Sequence, residues 1–179
     1  GSASSDFDLN KDVPVPDCKL TAAGVLVAVR AETESLILTK RSARLKHHPG
    51  QIAFPGGKQD PTDPTVIDAA LREAREEIGL PPDIVTVLGE LPAHQTVTGY
   101  RVTPVLAVTE GVYDPVPELG EVSEVFEVPL AHITNPAMFA VEGRRWQGRR
   151  RHYYTVPYGP YYIWGATARI LRALAERMS

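Results

Sequence analysis

The chain has 179 residues, 43% of them apolar, which is enough for the core of a single domain. Nineteen Lys and Arg against 22 Asp and Glu leave a formal charge of −3, which argues against a broad nucleic-acid surface. No stretch approaches the roughly 18 consecutive apolar residues of a membrane span. The single cysteine, Cys18, rules out an internal disulfide and suits a reducing, cytoplasmic compartment.

In chain order, Gly1-Ser2 resemble the scar of a cleaved tag, and residues 1–8 hold no secretory apolar core. Residues 1–18 read as a polar, Pro-containing tail ahead of one domain at 19–179. Residues 20–30 and 34–40 have strand composition, parted by a turn at Ala31-Glu32-Thr33. Residues 65–79 predict an amphipathic helix whose apolar stripe is Ile67, Ala70, Leu71, Ala74 and Ile78. Asp63 stands where an N-cap belongs and Pro64 at the first helical position. Gly79 ends the helix, and Pro81-Pro82 forbid its continuation. Residues 84–88 and 102–108 predict strands, and residues 110–120 a Pro- and Gly-rich loop. Residues 122–132 read as a strand or short helix, and Arg145-Trp146 and His152–Val156 as a hairpin around Gln147-Gly148. A final helix over 163–178 puts Ile170, Leu171 and Leu174 inward. Strands on either side of a helix, closed by another helix, predict an α/β fold, an α/β/α sandwich around a mixed sheet.

The helix over 65–79 carries the chemistry. Glu73, Glu76 and Glu77 fall at i, i+3 and i+4, sharing one face, which the stripe directs away from the core. Like charges so placed repel, and hard oxygen ligands of this kind suit Mg²⁺ or Mn²⁺. Asp68 with Arg72, and Arg72 with Glu76, are i, i+4 pairs that can orient them. Glu-x-x-Glu-Glu alone is common on solvated helices. Here Phe54-Pro55-Gly56-Gly57 lies just upstream, and adjacent glycines permit positive φ and close approach of a ligand. A further run, Lys40 to His48, has six basic or His side chains in nine, including Lys40, Arg41, Arg44 and Lys46. Such a run meets a polyanion beside the metal.

These residues resemble the Nudix hydrolase family. Arg72-Glu73-Ala74-Arg75-Glu76-Glu77-Ile78-Gly79-Leu80 matches the second half of its motif at every fixed position. The first half departs: five residues after Gly57 comes Asp63 rather than Glu, and eight residues separate it from Arg72. Asp63 is therefore kept as a cap and not assigned to metal. The run from Ile37 to Gly57 is similar to the motif of the coenzyme A branch, with Arg41, Ser42, Lys46, Gly50 and Phe54 in register. The resemblance implies Mg²⁺- or Mn²⁺-dependent cleavage of a diphosphate, with coenzyme A or its thioesters as substrate. It further implies metal held by Glu73, Glu76, Glu77 and the carbonyl of Gly57, with Arg72 supporting catalysis. Lys40, Arg41, Arg44, Lys46, Gly56 and Gly57 would contact substrate, and a homodimer would form. Some family members carry an additional Glu as metal ligand or base, and Glu121 is the candidate. ADP-ribose, a dinucleotide or an oxidised nucleotide are the rival substrates, and a non-catalytic nucleotide sensor is the rival of another class.

Two features leave alternatives open. Arg144, Arg145, Arg149, Arg150 and Arg151 crowd the hairpin, where they hold a distal phosphate or protect a strand edge from aggregation. Tyr153, Tyr154, Tyr158, Tyr161, Tyr162 and Trp164 stack a base or pack a core or dimer contact. His94 reads as structural.

Overall fold

The computed structural model describes residues 4–179; the expectation of a tag scar at Gly1-Ser2 lies outside them. Strand β2 (Thr21–Arg30) and strand β8 (Tyr100–Thr109) run parallel in register over ten residues. At its Arg30 end β2 pairs with β3 (Ser35–Arg41), and at its Thr21 end it pairs instead with β5 (Gly56–Lys58). The two strands therefore splay apart, and the segment through β4 (Ile52–Ala53) and β5 bridges the gap, β4 on β3 and β5 on β2. Leu26 donates its N–H to the Pro55 carbonyl at 2.7 Å within that gap. Beyond β3 lies β9 (Val122–Pro129), antiparallel; β6 (Val85–Glu90) and β7 (His94–Gln95) pair with β8.

The sheet is covered on both faces. Helix α1 (Val66–Ile78) packs Ala70, Ala74 and Ile78 against Leu26, Ile37 and Val105. After the four-residue helix α2 (Leu130–Ile133) and the hairpin of β10 (Ala140–Trp146) and β11 (Arg149–Thr155), helix α3 (Gly165–Met178) covers the other face. There Ile170, Leu171 and Leu174 meet Val27, Leu36 and Leu38. The α/β/α sandwich around a mixed sheet is what the sequence predicts. Strand alternation then has a consequence for the site. Leu36 and Leu38 face α3 and Ile37 faces α1, so Lys40 continues the α3 side and Arg41 the α1 side.

The helix cap lies two residues later than the sequence suggests. Thr65, not Asp63, is the N-cap: its hydroxyl accepts from Asp68 N–H, and Asp68 in return accepts from Thr65 N–H, a reciprocal box that satisfies two end donors. Asp68 is thereby committed to the cap instead of to Arg72. Gly79 does terminate the helix, at φ 69°. The hairpin is longer than expected, and its turn takes positive φ at both Gln147 and Gly148, the conformation of a two-residue type I′ loop. Residues 4–10 are docked. Strand β1 (Ser4–Ser5) pairs with β7, Phe7 is buried, and the Asn10 side chain exchanges two hydrogen bonds with the His152 backbone. His94 is fully buried between Ser4 Oγ (2.9 Å) and Asp6 Oδ1 (2.8 Å), a structural position. Among the described residues no helix is long and apolar enough to cross a membrane.

Candidate metal centre

Arg72 is the hub of the α1 face. Its Nε and Nη2 donate to the two carboxylate oxygens of Asp63 at 2.9 and 2.8 Å, a fork-to-fork pairing that fixes the guanidinium plane. Its Nη1 reaches Glu73 Oε1 and Glu76 Oε2, both at 3.2 Å, and Nη2 also donates to the Lys58 carbonyl. Asp63, freed from capping, is thus the residue that locks Arg72. The Arg72 hydrogen bonds hold its carboxyl below the usual carboxylate range.

Two glycines bring the loop onto this face. Gly56 sits at φ +152°, and a Cβ there would lie 2.4 Å from the Gly24 carbonyl oxygen. At Gly57 a Cβ would meet Glu73 Cδ at 2.8 Å. Backbone therefore packs directly on the carboxylates, and Gly56 N–H donates to Glu77 Oε2 at 3.3 Å. The face expected to point at solvent is in fact half covered: Glu77 is only 8% exposed. Burial, reinforced by the charges of Glu73 and Glu121, pushes the Glu77 carboxyl up to about 8. Burial also raises Glu73, against the pull of Arg72.

A third carboxylate arrives from far along the chain. The C-terminal carbonyls of α1 have no helical partners, and the loop at 110–120 supplies donors. Pro115 and Pro117 have no N–H, which leaves Val116 and Glu118 to donate, to Ile78 O (3.0 Å) and Glu77 O (2.8 Å). Tyr113 Oη adds a bond to Ile78 O at 2.7 Å. With the loop clamped to the helix end, Glu121 follows beside Glu77, and Ser42 N–H holds its carbonyl at 2.8 Å. One oxygen each from Glu73, Glu77 and Glu121 then lie within 4.8 Å of one another.

Of the residues singled out in the sequence, Glu73 and Glu77 are brought together and Glu76 is not; it is exposed and bonded to Arg72. Glu121, the lesser candidate, completes the group. Arg41 donates to the His47 and His48 carbonyls, bracing the basic loop. Lys40 lies 3.8 Å from Glu124, while Arg44 and Lys46 are exposed. The donor set fits a hard divalent cation. Three carboxylates converge, one is buried, and the nearby guanidiniums are engaged with Asp63 and with loop carbonyls.

Residues 20–147 match the model of the NUDIX domain. The chain is 40% identical over 154 residues to a protein of Enterobacter sp. (strain 638) named "Uncharacterized Nudix hydrolase NudL", covering 86% of this chain and 80% of that one. It is 43% identical, with the same coverage, to the protein of that name from Escherichia coli O7:K1. Among solved structures, the MutT protein of Methanosarcina mazei Go1 superposes with a TM-score of 0.58 at 19% identity, over 92% of this chain and 98% of that one. An Ap4A hydrolase of C. elegans gives 0.53 at 20% identity, over 61% and 80%. At such identities these two likenesses concern the fold.

Proposed function

Since the chain belongs to the Nudix hydrolase family, we propose that it hydrolyses the diphosphate of coenzyme A or an acyl-coenzyme A. The products are 3′,5′-ADP and 4′-phosphopantetheine or its acyl form. The observation that carries the substrate is the register of Arg41, Lys46, Gly50 and Phe54-Pro55-Gly56-Gly57, a run that leads into the loop packed on Glu73 and Glu77.

A diphosphate resists attack because its anionic oxygens repel a nucleophile. Glu73, Glu77 and Glu121 gather negative charge at one point. These carboxylates would hold a divalent cation, Mg²⁺ or Mn²⁺, which would screen the diphosphate and lower the pKa of a water. Arg72, locked by Asp63, keeps Glu73 in place. The basic loop braced by Arg41 draws the substrate's phosphates to the rim of the site. One glutamate of the group takes the proton of the attacking water.

The test is product analysis after separate incubation of coenzyme A, ADP-ribose and NADH with the protein and Mg²⁺ or Mn²⁺. Release of 3′,5′-ADP and 4′-phosphopantetheine is expected. Turnover of ADP-ribose or NADH with coenzyme A untouched would overturn the substrate, and tight binding without turnover of any would overturn hydrolysis itself.

A further inference from the structure

On the α3 face, across β3 from the carboxylates, a cleft of about 400 Å³ is lined by Lys40, Gln51, Arg144, Tyr161, Tyr162 and Trp164. The hairpin brings the Arg144 guanidinium to 5.8 Å from the centroid of the Trp164 ring, within reach of a cation–π contact. The aromatic walls are held by their own hydroxyls. Tyr161 donates to Glu124 at 2.9 Å and stacks on Phe126, and Tyr162 donates to Glu142 at 2.7 Å. Glu124 and Glu142 thus each have an oxygen engaged by a tyrosine of this wall. Lys40 is tied to Glu124 only by a half-exposed contact of 3.8 Å, which leaves its ammonium available. The cleft shares a rim with the metal centre. Its wall of Gly50 and Gln51 is hydrogen-bonded to the Arg41 backbone, and Arg41 and Lys40 point to opposite faces from adjacent positions.

We propose that this cleft is the specificity subsite for the nucleoside end of the substrate, with the base lying along Trp164 and Tyr162 and a ribose phosphate held between Lys40 and Arg144. The inference rests on the coenzyme A reading for the identity of that end. An extended dinucleotide-like substrate crosses the rim at residues 40–51, its diphosphate at the carboxylates and its phosphorylated nucleoside in the cleft. Two cations flanking flat rings match a base bearing a dianionic phosphate monoester, and a nucleoside without that phosphate leaves Arg144 and Lys40 unused.

The chain has two tryptophans, so Trp146→Phe makes Trp164 the sole tryptophan, which can be excited selectively over the tyrosines. Titrating that protein with 3′,5′-ADP, 5′-AMP and inorganic phosphate should give a Trp164 response to both nucleotides, with 3′,5′-ADP binding at least about tenfold tighter. Arg144→Ala should erase the difference and Arg144→Lys retain part of it. In turnover, Arg144→Ala should lower the ratio of kcat/KM for coenzyme A over 3′-dephospho-coenzyme A about tenfold, through KM. Equal affinities for the two nucleotides, or a preference that survives Arg144→Ala, overturns the subsite. If 3′,5′-ADP binds as expected but coenzyme A is not hydrolysed, the subsite stands and the substrate assignment falls.

Discussion

Glu77 offers the sharpest test of the metal centre, because its burial sets protein stability against metal binding. In the metal-free protein its carboxyl is raised from 4.5 to about 8. Between those values the folded chain holds a proton that the unfolded chain has lost, so stability is full below about 4.5 and falls as pH rises toward 8. Integrated from pH 5 to pH 8, the loss is on the order of 3 to 4 kcal/mol, or roughly 10 °C in Tm for a chain of this size. Glu77→Gln removes the titration while preserving shape, and the amide oxygen can still accept from Gly56 N–H. At pH 5 the two EDTA-treated proteins should melt together, and at pH 8 the variant should melt higher by that amount. Saturating Mn²⁺ should close the gap by binding the ionised carboxylate, and raise the wild-type Tm more at pH 8 than at pH 5. The variant should lack most of this response. Calorimetry in two buffers of different ionisation enthalpy should show net proton release on Mn²⁺ binding below pH 8 in the wild type. Parallel melting curves for the two metal-free proteins across pH 5–8 would refute the reasoning.

Two further outcomes follow from the packing of the site. Gly57→Ala places a methyl against the flexible end of Glu73, so kcat should fall roughly 100-fold with little change in Tm; Gly56→Ala meets backbone at 2.4 and 2.6 Å and positive φ, so it should lower Tm or prevent folding. Thermal melts beside steady-state kinetics separate the two, and the same profile in both variants would contradict the geometry. Glu121→Gln should lower kcat about as much as Glu73→Gln, by roughly 100-fold or more, at saturating metal; activity within threefold of the wild type would remove Glu121 from the group.

Local features were legible in the sequence and convergent ones were not. The α1 periodicity, its glycine stop and the longer strands of the main sheet depend on residues close in sequence, and they lie within two residues of their observed ends, whereas the hairpin strands start three to five residues earlier than their composition suggests. The cap was misread because Asp63 and Thr65 are both good capping residues. What chose between them was Asp68, which closes the box on Thr65, and Arg72, which claims Asp63. The strands of two or three residues, β1, β4, β5 and β7, are defined by partners from elsewhere in the chain and leave no period to read. Arg144, Trp164 and Lys40 meet in one cleft only because the hairpin folds over the end of β3.

The difference at the carboxylates has a geometric cause. Successive helical residues are turned by about 100°, so Glu73 lies about 40° from Glu77 and about 60° from Glu76 on the other side. Glu76 and Glu77 are thus about 100° apart and cannot both look squarely at one point. In this structure the Gly56 N–H and the overlying loop take Glu77, and Arg72 draws Glu76 outward. A third oxygen on the covered side has to come from another element. The helix end itself recruits it, since the carbonyls of Glu77 and Ile78 need donors and the Val116 and Glu118 N–H groups between prolines provide them. Clamping that loop sets Glu121 beside Glu77. The same backbone bonds that satisfy the last carbonyls of α1 therefore complete the cluster, and loosening them should cost metal affinity before it costs the fold.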